Sequence, residues 1–170
     1  MPTRLLPLAA LFLLLCCGCG KKPSATADAV DRFVAGGIDS LVVHSIHPRA
    51  PEIDEVGDEE TYEKLLSAVT PEFFHGHAVL QTATTDKPDE IAALLKSTTR
   101  SMRTTAYGAK CFDPRHGLRL TRGETHLDLV ICYECEHVQL WEGGAKRPYE
   151  TIAESSKAAL DRFLAATKGQ

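Results

Sequence analysis

The stretch Leu118-Arg119-Leu120-Thr121-Arg122-Gly123-Glu124-Thr125-His126-Leu127-Asp128-Leu129 decides the fold. Apolar and polar residues alternate on both sides of Gly123-Glu124, the period of a half-buried strand. A two-residue turn with glycine first favours the type II′ hairpin. That turn predicts the pairs Arg122–Thr125, Leu120–Leu127 and Leu118–Leu129, with Arg119 facing Asp128 on the opposite face. Leucines on one face and an ion pair on the other make the register self-consistent, because a one-residue slip would send every leucine to the wrong side.

Working outward, the hairpin strands are expected over 109–121 and 125–141. Toward the N-terminus, Pro88, Asp89 and Glu90 open a helix with Ile91, Leu94, Leu95, Thr98 and Met102 along one face. Residues 74–84 and 38–46 read as strands, and Tyr62, Leu65, Leu66 and Val69 mark a helix over 59–69. Asp28 to Ala35 is a short helix stopped by Gly36-Gly37. A last helix is expected over 148–167, with Ile152, Leu160, Phe163 and Leu164 inward. Following the short opening helix, the order is β-α-β-α-β-β-α. It predicts an α+β domain: a mainly antiparallel four-stranded sheet with helices packed on one face.

The N-terminus carries Arg4, then an apolar run from Leu5 to Cys17, then Gly18-Cys19-Gly20-Lys21-Lys22. A positive start, a short apolar run and small residues are the parts of a secretory signal, and the run is too short to span a bilayer. The pattern resembles a bacterial lipoprotein signal with Cys19 as the lipidated residue; cleavage before Cys17 is the alternative. Two or three acyl chains would hold the protein at a bilayer. By the same resemblance, Gly20 in place of aspartate implies the outer membrane, facing the periplasm. The expected organisation is a signal peptide over 1–18, a lipidated N-terminus and tether over 19–27, and one domain over 28–170.

Removing 18 of 170 residues leaves 152, enough for one well-buried core. The formal charge of −4 gives no electrostatic reason to bind nucleic acid. Asp54, Glu55, Asp58, Glu59 and Glu60 read as a solvated acidic stretch, without the ligand spacing of a calcium loop. The serines fall in no nucleophile elbow, and the paired glycines open no phosphate loop.

Of the six cysteines, three remain past the leader: Cys111, Cys132 and Cys135. The stretches Lys110-Cys-Phe-Asp-Pro-Arg-His-Gly-Leu-Arg119 and Asp128-Leu-Val-Ile-Cys-Tyr-Glu-Cys135, with Phe74-His75-Gly76 upstream, resemble a family of uncharacterised bacterial proteins, many of them lipoproteins. The resemblance implies a shared fold and an exported location; it carries over no catalytic residue.

Export favours disulfides. Pro114 predicts an interruption of the strand; one extra residue there brings Cys111 opposite Cys135, the expected disulfide. Cys132 and Cys135, three apart in a strand, would point to opposite faces, too far for a bridge unless the strand breaks there. No cofactor is expected. The metal alternative is zinc on Cys111, Cys132 and Cys135 with His116 or His137. His75 and His77 are expected on one face of a strand, as exposed histidines rather than a metal pair. The expected function is a lipid-anchored envelope module that binds an envelope protein or has a structural role. The alternative is a zinc or thiol-redox domain built on the cysteine hairpin.

Overall fold

A computed structural model describes residues 24–48, 72–103 and 111–167. The leader with Cys19, the acidic stretch and the expected helix over 59–69 lie outside these residues. Among the described residues, no helix is long and apolar enough to cross a membrane.

The elements run α1 (Ala25–Ala35), β1 (Ser40–Ile46), β2 (Phe73–Phe74), β3 (His77–Thr85), α2 (Pro88–Ser101), β4 (Met102–Arg103), β5 (His116–Arg122), β6 (Thr125–Cys132), β7 (His137–Glu142), β8 (Ala145–Lys146), β9 (Glu150–Ile152), a single 3-10 turn (Glu154–Ser156) and α3 (Lys157–Ala166). The strands form one sheet in the order β2-β3-β1-β5-β6-β7-β9-β4, with β8 paired to β7. The described pairings are antiparallel.

The α+β class and the antiparallel sheet agree with the sequence pattern, but the sheet has nine strands among the described residues, not four. Turns cut two expected strands: 74–84 becomes β2 and β3, and 125–141 becomes β6 and β7. The short β4, β8 and β9 add the rest. The final helix begins only at Lys157, because Glu150–Ile152 pair with β7 and β4 instead.

The central hairpin forms in the expected register, from Arg122↔Thr125 through Arg119↔Asp128 to His116↔Ile131. Gly123 has φ +55°, the sign a II′ turn asks of its first residue. Strand alternation then sorts the two faces. Leu118, Leu120, Leu127, Leu129 and Ile131 join Leu41, Val43, Ile91, Leu94, Leu95, Leu160 and Leu164 in the main core, roofed by α1, α2 and α3. Ile46, Phe74 and Val130 make a smaller cluster on the opposite face, with Val79, Phe112 and Trp141 packed against it.

Helix α1 starts at Ala25, three residues before the expected domain boundary. The Glu150 carboxylate accepts the Ala25 and Thr26 N–H groups at 2.9 and 2.8 Å and the Ser24 hydroxyl. The Ser24 hydroxyl oxygen in turn accepts the Ala27 N–H at 3.0 Å. An internal anion thus sits on the positive end of the helix and ties it to β9. These bonds outweigh the upward push of burial and hold the Glu150 carboxyl below its usual range.

Candidate functional site: the cysteine turn

Strand β6 ends at Cys132, and Tyr133–Glu136 turn the chain into β7, where His137 pairs with Cys132. Glu136 closes the turn in the left-handed region at φ +53°. Because the strand stops here, the two cysteines of Cys132-Tyr-Glu-Cys135 no longer point to opposite faces. Their Cα atoms lie 5.3 Å apart and the sulfurs form a disulfide. This corrects the expected pairing: Cys135 is bridged to Cys132, not to Cys111.

Cys111 is nonetheless beside them. Its sulfur is 3.5 Å from the Cys135 sulfur, and it is free and exposed. The strand β5 starts at His116, so Cys111 to Arg115 run as an irregular segment, anchored where the Arg115 N–H donates to the Ile131 carbonyl. The interruption expected at Pro114 is therefore the end of the strand rather than an inserted residue. It brings the sulfurs together without bonding them.

The three sulfurs differ in access. Cys111 is exposed, Cys135 half-buried, and Cys132 buried at 0 %. The Cys135 N–H donates to the Cys132 sulfur at 3.1 Å. His137 Nδ1–H donates to the Cys135 carbonyl, and the His137 ring packs edge-on to Tyr149, which also meets Phe112 at 4.8 Å between ring centroids. The turn is held from the other side by Tyr133, whose hydroxyl meets Ser156 Oγ at 2.8 Å, itself 3.0 Å from Ser101 Oγ. Burial pushes the Tyr133 hydroxyl up to about 12, so it stays a protonated structural group.

His116 does not join the cysteines, as the zinc alternative would have it do; it bonds Asp161 instead. Two residues before Leu118 on the same strand, it shares the helix-covered face and turns toward α3. Its Nε2 lies 2.8 Å from Asp161 Oδ1, while Lys157 donates to Asp161 Oδ2 at 2.9 Å. Burial lowers its pKa, only partly offset by Asp161. Among the described residues, its buried Nδ1 has no hydrogen-bond partner. His116 and Asp161 border a cleft of about 310 Å³ with Ser45, Gln81, Tyr133 and Lys157. Among the described residues, no group of three or more His, Cys, Asp or Glu side chains is arranged to hold a metal ion.

The opposite face carries a second polar centre. Asp128, 0 % exposed, accepts from Arg119 Nε and Nη2 at 2.9 and 2.7 Å, and its Oδ2 lies 2.8 Å from His75 Nε2. Burial pushes the Asp128 carboxyl up, but these bonds and charges together hold it below the usual range. The same pair raises the Arg119 guanidinium. His75 stacks on Trp141, ring centroids 4.3 Å apart. Sequence pattern finds Arg119–Asp128 through the hairpin register; it misses His75, which enters from a turn at φ +50°. His75 and His77 therefore do not share a strand face: His77 Nδ1 lies 3.2 Å from the His47 carbonyl instead.

No family model, no curated protein and no solved structure matches the chain.

Proposed function

We propose that this chain is a lipid-anchored envelope domain whose cysteine turn performs thiol–disulfide exchange. The observation that carries the reading is the third sulfur: Cys111 Sγ lies 3.5 Å from one sulfur of the Cys132–Cys135 bridge. A thiolate adjacent to a disulfide sulfur is the arrangement that exchange chemistry requires. The leader supports the compartment, since an exported cysteine site works where disulfides persist. Peptide mapping of the processed protein, alkylated before and after reduction, tests this. The expected result is one free thiol at Cys111 and two more released by reductant at Cys132 and Cys135. Three free thiols with one bound zinc would replace this reading with the metal one.

A partner-binding module is the second reading, favoured by Phe73 and Leu80, apolar side chains 50 % and 53 % exposed on β2 and β3. Crosslinking in intact envelopes tests it: loss of the crosslinked product on changing both residues to serine supports this surface as the contact.

A further inference from the structure

We propose that the three sulfurs form a directional relay in which Cys111 meets the outside partner and Cys132 is the internal leaving thiol. This rests on the thiol–disulfide reading and specifies its order. Access sets the direction. Exchange rates depend on which sulfur can be reached, and Cys132 is fully buried while Cys111 is exposed. Cys135 stands between them, bonded to one and 3.5 Å from the other.

In the first step the Cys111 thiolate attacks Cys135 Sγ. The Cys111–Cys135 bond forms, the Cys132–Cys135 bond breaks, and the electron pair passes to Cys132 Sγ. Cys132 takes up the proton that Cys111 gave up, so the step consumes no oxidant or reductant. The Cys135 N–H, 3.1 Å from Cys132 Sγ, stabilises the departing sulfur. In the second step an external thiolate attacks the exposed Cys111 sulfur of this isomer. A mixed disulfide forms on Cys111 and the electron pair goes to Cys135. The partner class is therefore a thiol of another exported polypeptide, oxidised at the expense of the bridge. The resting isomer keeps the bond on the buried side, where an outside thiol cannot reach Cys132.

The test uses the processed protein in its bridged form with excess glutathione, an alkyl thiol of ordinary pKa, as probe, the adduct being trapped with acid and located by peptide mass spectrometry. The wild type should give a mixed disulfide on Cys111 and none on Cys132. Cys111→Ser should slow probe consumption by about tenfold or more, because only half-buried Cys135 remains as a target. Cys132→Ser, oxidised with diamide as the two-electron acceptor, should form a Cys111–Cys135 bridge and still capture the probe on Cys111. An adduct on Cys132, or an unchanged rate in Cys111→Ser with its thermal unfolding midpoint preserved, overturns the relay while leaving exchange intact. A wild-type protein with no bridge overturns the exchange reading itself.

Discussion

The two faces of the central sheet are built by different physics. The face under the helices is a leucine-rich layer in which Leu118, Leu120, Leu127 and Leu129 are essentially inaccessible. Its stability is burial of apolar area. The opposite face combines a small apolar cluster with a buried ion pair, and histidine and aromatic rings fill the space between. There the polar groups must be satisfied one by one, since an unpaired buried charge costs more than a lost contact. The cysteine turn lies at the end of this second face. A layer of apolar side chains resists change uniformly, whereas a face of specific pairs can place reactive groups.

The comparison is open to test, from the largest expected effect to the smallest. Leu129→Ala should cost about 3–4 kcal/mol in denaturant unfolding, against about 1–2 for its neighbour Val130→Ala on the other face. Equal losses would show that the two faces are not energetically distinct. Asp128→Asn should cost about 2–3 kcal/mol, read the same way, because it leaves Arg119 and His75 without their anion. Arg119 is 40 % exposed, so water recovers part of that loss.

Gly117→Ala should cost about 1–3 kcal/mol, since a Cβ there would sit 2.6 Å from the Phe74 ring. In the double variant with Phe74→Ala the two costs should fall short of additivity, because the clash disappears with the ring. Strict additivity would place the cost elsewhere.

The smallest effect is on pH. Burial lowers the pKa of His44, His77 and His116, so the folded protein prefers all three neutral. The unfolded chain then binds more protons, and stability present above pH 6.5 is lost as pH falls through the folded values. Asp128 adds a second loss below its ordinary 3.8, as pH falls through its depressed folded value. Thermal melts between pH 7.5 and pH 5 (roughly one unit either side of the histidine reference) should show a declining midpoint. A rise on acidification would contradict the burial of these rings.

The hairpin was legible residue by residue because the turn pins the register and period-two alternation assigns the faces. The next turn was not. Tyr133-Glu134-Cys135-Glu136 contains neither glycine nor proline, and Glu136 takes a left-handed conformation that its residue type does not advertise. Missing it joined β6 to β7 and separated Cys132 from Cys135. The segment 150–152 is another instance: Ile152 sits at helical spacing from the residues that follow it, yet the segment pairs as a strand, Glu150 and Thr151 with β7 and Ile152 with β4. The partners of His116 and His75 come from elements 45 and 53 residues away, which no local pattern brings together.

From the sequence alone came the α+β class, the central register and the expectation that Cys111 comes to lie beside Cys135, because these rest on local periodicity and turn chemistry. Tertiary structure decided which two sulfurs bond, which histidine leaves the cysteines for α3, and which carboxylate is buried. Each of those depends on where a strand stops and what packs against its end. That is a property of the assembled sheet, not of the residues that enter it.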